Sequence, residues 1–247
     1  MKPTKKAREM TARELAAYVD QSVLKPEFTQ ADIRRYIQEG IDFGCKTVCV
    51  NPASVPMARE MCLGTGTSVC AVCDFPFGLS TTESKVLQAE EILKGGGIED
   101  LDIVANYGWI KSGLWDDVQG EIAAVAAVTH RYGAVLKVIF ETDALTLDEV
   151  AKATDAACRA GADFVKTSTG FYTGGEGKGA TCEVIRVMMD AAQGRCKVKG
   201  SGGIRDQAHF FELIDMGIDR MGIGYRSTPV VLGLSVEQAR EERKGGY

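Results

Sequence analysis

The chain has no run of about 18 apolar residues, the length a helix needs to cross a bilayer. Its basic start, Met1-Lys2-Pro3-Thr4-Lys5-Lys6-Ala7-Arg8, is followed by no apolar stretch, so it does not read as a signal peptide. HExxH, a Cys/His ligand set and an acidic metal cluster are all missing, so no metal or other cofactor is expected. No GxGxxG follows the first candidate strand, which argues against an open dinucleotide-binding sheet. Without a Pro- or Ser-rich linker, no second domain is visible. The two histidines, His130 and His209, fall in helical stretches where surface placement is the default. A formal net charge of -5 gives no bulk attraction to nucleic acid or an anionic membrane.

Disulfide scaffolding is also lacking, although there are eight cysteines. Cys49, Cys70, Cys73 and Cys196 sit in apolar strand-like runs, where a thiol is an ordinary small hydrophobe. Cys70-Ala71-Val72-Cys73 has CxxC spacing, but positions i and i+3 of a strand face opposite ways and do not readily hold one metal. Free thiols imply a reducing compartment, and a cytoplasmic protein is expected.

What is present is a repeated pattern. Short β-rich runs recur roughly every 25–35 residues with amphipathic helical stretches between them, which reads as βα units. Strands are expected at Tyr18–Val23, Thr47–Val50, Ser68–Cys73, Leu101–Ala105, Val135–Phe140, Asp163–Thr167, Cys196–Gly200 and Arg220–Ile223. Val86, Ala89 and Leu93 share one helical face, as do Val118, Ile122 and Val125. The layout predicts an α/β protein, a single (β/α)8 TIM barrel over residues 1–247 with a short N-terminal extension and a flexible C-terminal tail.

Charges inside the apolar strands carry the functional signal. Lys166 lies in Asp163-Phe164-Val165-Lys166-Thr167-Ser168-Thr169-Gly170, and Lys199 repeats the arrangement before Gly200-Ser201-Gly202-Gly203. Burying an unpaired ammonium costs several kcal/mol or shifts its pKa. Strand alternation points Lys166, Lys199, Asp102 and Lys137 inward, while Leu101, Ile103, Val138, Val165 and Val198 face the helices. Lys197 shares the inward face of Lys199 and Ser201, and structural roles for Lys137 and Lys197 stay open. An amine must be neutral to attack a carbonyl, and a second ammonium nearby promotes that. Lys166 beside Lys199, with Asp102 exchanging protons, describes Schiff-base chemistry. Glycine clusters follow the late strands, at Gly170, Gly202-Gly203 and Gly222-Ile223-Gly224-Tyr225-Arg226, where this fold often binds phosphate.

These residues resemble a known family from about Asp20 to Arg226. Asp20-Gln21-Ser22-Val23-Leu24-Lys25-Pro26, Val48-Cys49-Val50-Asn51-Pro52, Asp74-Phe75-Pro76-Phe77-Gly78, Leu101–Asn106, Lys137–Thr142, Phe164–Gly170 and Lys199–Arg205 are similar, in order, to motifs of the deoxyribose-phosphate aldolase family. That resemblance implies a TIM-barrel class I aldolase, reversibly cleaving 2-deoxy-D-ribose 5-phosphate to acetaldehyde and D-glyceraldehyde 3-phosphate. It places Lys166 on the Schiff-base lysine, Lys199 on the lysine that lowers its pKa, and Asp102 on the proton donor and acceptor. Tyr247 matches a C-terminal tyrosine that assists proton transfer in some members. Asp20, Asn106, Lys137, Thr167, Gly170, Gly202, Gly203, Gly222, Gly224 and Arg226 are the expected substrate- and phosphate-binding residues. The implied partners are a small aldehyde and a sugar phosphate, and a homodimer is expected.

Two departures bear on substrate. Gly222-Ile223-Gly224-Tyr225 replaces the family's serine-bearing turn after the last strand, and Glu176-Gly177-Lys178-Gly179 reads as an insertion. An unphosphorylated or differently phosphorylated sugar is therefore the alternative substrate. A non-catalytic sugar-phosphate sensor is the alternative from another class.

Overall fold

The computed structural model describes residues 4–244. Eight strands run parallel in sequence order and close into a barrel. They are β1 (Val19–Val23), β2 (Thr47–Val50), β3 (Ser68–Cys73), β4 (Asp100–Val104), β5 (Val135–Ile139), β6 (Phe164–Lys166), β7 (Lys197–Ser201) and β8 (Arg220–Gly224). β2 and β3 have the expected bounds; β1, β5 and β8 differ by one residue at one end, and β4, β6 and β7 by one residue at each end. A long helix follows each of the first seven strands: α1 (Gln30–Phe43), α2 (Val55–Cys62), α3 (Thr82–Leu93), α4 (Trp115–Arg131), α5 (Leu147–Arg159), α6 (Cys182–Ala192) and α7 (Gln207–Met216). Helices Thr228–Leu232 and Val236–Lys244 follow β8. Tyr247 lies outside the described residues.

Local chemistry sets these boundaries. The Thr29 hydroxyl accepts the Asp32 N–H and the Asp32 carboxylate accepts the Thr29 N–H, a capping box that starts α1. Thr146 and Glu149 start α5 in the same way. α1 ends at Gly44, whose φ of 70° suits a residue without Cβ.

Two compact units are distinguished by their internal contacts, one formed by the chain up to Cys70 and from Ile204 on, the other by Ala71–Gly203. In the first, β1 pairs with β2 and β8, and the N–H of buried Ala7 donates to Asp215. The second holds most of the inward-facing charge. Its register sets Asp102 opposite Lys137 and Lys166 opposite Lys199. Leu101, Ile103, Val138, Val165 and Val198 are all buried, as the alternation requires.

Three readings need correction. On α3 the buried face is Lys85, Ala89, Ile92 and Leu93, and Val86 is only part-buried. The helix is rotated so that a lysine, not a valine, faces inward, because fixed polar groups await it there. Cys196 is not a free thiol: it is bonded to Cys158 at the end of α5, their Cα atoms 5.6 Å apart, within disulfide reach. Lys197, at the first position of β7, is exposed rather than interior.

Candidate active site

Lys166 is the last residue of β6 and is 2% exposed. Its Nζ donates to Asp102 Oδ2 at 2.7 Å, and Lys199 Nζ donates to the same oxygen at 2.8 Å. Lys137 Nζ reaches Asp102 Oδ1 at 3.1 Å and also pairs with Asp100. One carboxylate on β4 thus receives three ammoniums from β5, β6 and β7. Burial alone would push the Asp102 carboxyl up, but Lys137, Lys166 and Lys199 outweigh it and hold it well below the usual carboxylate range. Asp102 is therefore ionised, with one oxygen shared between Lys166 and Lys199.

The rim around Lys166 is built by the chain ends of β5 and β6. Glu141, buried, sits in the left-handed region at φ 56°, uncommon for a residue with a side chain. Its carboxylate accepts the Thr169 hydroxyl and the Thr169 N–H, and the Thr169 oxygen accepts the Phe171 N–H at 2.9 Å. This bonding bends the chain at Gly170, whose φ is 83°. Burial pushes the Glu141 carboxyl up, against the hydrogen bonds from Thr169. Phe171 meets Phe75 edge-on at 5.4 Å between ring centres.

Behind β4 lies a second buried charge group that the sequence reading did not reach. Lys85 Nζ lies 2.8 Å from Glu121 Oε1, and donates to the carbonyls of Val104 at 2.8 Å and Gly78 at 3.0 Å. Glu121 also accepts the Asn106 N–H at 3.1 Å. These bonds pin the end of β4 at Val104, two residues beyond Asp102, to the loop after β3. Lys85→Met should leave Glu121 as an unpaired buried charge and two carbonyls without a donor. We expect a loss of about 3–5 kcal/mol in urea unfolding; a variant within about 1 kcal/mol of the parent would rule out this assignment.

The other expected binding residues are placed as follows. The Asn106 side chain caps the short helix Tyr107–Lys111 by accepting the Trp109 N–H. The Thr167 hydroxyl donates to the Ser201 carbonyl and accepts the Ser201 N–H, tying β6 to β7. Gly202 and Gly203 have φ of 84° and 76°. In the other unit, Asp20 on β1 is buried and paired with Arg220 at 2.8 Å, and Gly222 lies opposite it in register. The Tyr225 ring is committed to packing on Tyr36, 4.0 Å away, and on Phe28. Gly224 is exposed, and the Arg226 guanidinium lies over the Tyr225 ring. Glu141, Asp143, Lys85 and Glu121 were not singled out from the sequence. A charge at a strand end marked the first, but nothing in the pattern marked the others.

A parallel eight-stranded barrel enclosing a lysine pair on one aspartate defines the class, a TIM-barrel aldolase. Residues 15–234 match the model of the DeoC/LacD family aldolases. A deoxyribose-phosphate aldolase from Staphylococcus haemolyticus is 41% identical over 207 residues, covering 84% of this chain and 91% of that protein. One from Mannheimia succiniciproducens is 37% identical over 238 residues, covering 96% of this chain and 100% of that protein. The solved tetrameric deoxyribose phosphate aldolase of Aeropyrum pernix superposes with a TM-score of 0.80 at 30% identity, covering 90% of this chain and 91% of that one. The chain belongs to the DeoC/LacD aldolase family, among the deoxyribose-phosphate aldolases. None of its helices, among the described residues, is long and apolar enough to cross a membrane.

Proposed function

We propose that the protein cleaves 2-deoxy-D-ribose 5-phosphate reversibly to acetaldehyde and D-glyceraldehyde 3-phosphate, with Lys166 as the imine-forming amine. The observation that carries this reading is the shared oxygen: Lys166 and Lys199 both donate to Asp102 Oδ2. That shared oxygen sets a second cation, Lys199, directly beside the Lys166 amine. The neutral amine adds to the C1 aldehyde of the open-chain sugar, and loss of water leaves a C=N bond. Removal of the C3 hydroxyl proton, by Asp102 through a water, then breaks the C2–C3 bond. Its electron pair moves into an enamine on Lys166, and glyceraldehyde 3-phosphate leaves. Protonation at C2 and addition of water release acetaldehyde and the free amine. No cofactor takes part in this sequence.

The test is reductive trapping. Acetaldehyde with borohydride should add one ethyl group to the intact protein, and peptide mapping should place it on Lys166. Active protein that yields no adduct would sink the proposal.

A second reading keeps the imine but changes the sugar. It is favoured by one observation: Tyr225, where relatives are expected to carry a serine, is spent on aromatic packing. Specificity constants for phosphorylated and unphosphorylated deoxyribose separate the two. A strong preference for the 5-phosphate eliminates the second.

On either reading we place the enzyme in the cytoplasm as a single catalytic domain acting on small aldehydes and sugars. We also propose a homodimer, which light scattering on the purified protein checks.

A further inference from the structure

The loop that follows Gly170 is not a loose insertion. Asp143 Oδ1 accepts the backbone N–H of Lys178 at 2.7 Å and of Gly179 at 3.0 Å, and its Oδ2 accepts the Ser168 hydroxyl at 3.1 Å. Ala180 N–H then donates to the Gly202 carbonyl at 3.0 Å. Backbone meets backbone here. A Cβ on Gly179 would lie 2.3 Å from the Gly202 carbonyl carbon, and one on Gly203 would lie 2.4 Å from the Lys178 oxygen. Both glycines also have positive φ, so the approach depends on their lacking side chains. The result fixes the backbone of Lys178 against the turn after β7, two residues beyond Ser201.

Lys178 is exposed, and its ammonium has no carboxylate or carbonyl partner among the described residues. Residues 173–179 otherwise hold only Thr, Gly and Glu, so Lys178 is the one cation on this fixed stretch of backbone. In barrels of this kind the phosphate of a substrate sits at the loops after the seventh and eighth strands. After β8, Gly224-Tyr225 stands where the family's serines are expected, and the first serine is Ser227, at the start of the next helix.

We propose that Lys178 is a specificity-determining residue that supplies the cation for the anionic end of the substrate, and that Asp143 is the positioning residue that holds it there. The inference rests on the aldolase reading above and names the residue through which a phosphate would be recognised. An ammonium contributes a charge-assisted hydrogen bond that a phosphate dianion takes up and a hydroxymethyl group does not.

The experiment measures specificity constants for 2-deoxyribose 5-phosphate and 2-deoxyribose. In Lys178→Ala the ratio of the two should fall about tenfold, through KM for the phosphorylated sugar. Lys178→Arg should restore most of it. Asp143→Ala should lower the ratio by a similar factor, and Asp143→Ala/Lys178→Ala should be no worse than the worse single variant. Calorimetric titration with inorganic phosphate gives a readout independent of turnover, and Lys178→Ala should weaken that binding by the same factor. A Lys178→Ala ratio and phosphate affinity both within about twofold of the parent would overturn the proposal. Parent protein that turns over neither sugar and forms no borohydride adduct would overturn the aldolase reading instead, while the phosphate titration still decides the role of Lys178.

Discussion

Replacing Lys166 with alanine is expected to lower kcat for 2-deoxyribose 5-phosphate by roughly ten-thousandfold or more, with the fold intact. The chemical reason is that no other group can form the imine at that position. Lys199 lies as near to Asp102, but it is followed by two further strand residues, whereas Lys166 ends its strand at the rim where substrate enters. Folding should survive because Asp102 keeps Lys137 and Lys199 as partners. Circular dichroism and a urea curve verify that, and borohydride trapping should give no adduct. An ethylated Lys199 in this variant, with kcat within about a hundredfold of the parent, would move the nucleophile to β7 and refute the assignment.

That prediction was almost wholly readable from the sequence. A lysine in the phase of an inward-facing strand position, followed by hydroxyl residues and glycine, is legible because strand periodicity is two and a buried charge needs a reason. The same holds for Lys199, Asp102 and Lys137, which the structure joins at one carboxylate. Strand bounds were legible to within one residue at each end because β-rich runs mark them locally.

The rest depended on partners distant in sequence. Val86 and Lys85 are adjacent on α3, and helical phase alone does not say which turns inward. The choice is made by Glu121, Gly78 and Val104, contributed by three other segments. Asp143 was equally silent, since its role exists only once Lys178 and Gly179 fold back onto it. The Cys158–Cys196 bond joins residues 38 positions apart, with no spacing motif to announce it. Local chemistry was readable at long range only where the barrel's own periodicity carried it.

Asp102→Asn should have the second large effect, and on two observables. As the proton acceptor it is expected to contribute about 10²–10⁴-fold to kcat. The same substitution leaves Lys137, Lys166 and Lys199 without their shared carboxylate, and breaking such a buried group costs about 3–5 kcal/mol. The pH dependence tells this electrostatic cost apart from a packing defect. In the parent, the folded-state pKa of Asp102 lies well below its unfolded value, so its stabilisation is complete above the ordinary carboxylate value of about 4. It is lost as pH falls from there through the folded-state value. Asparagine does not titrate, so the stability difference between parent and variant should be constant above that value and shrink on acidification. A difference that stays level into strong acid would mean that the loss comes from packing, and a folded Asp102→Asn enzyme with kcat within about tenfold of the parent would remove Asp102 from the proton path.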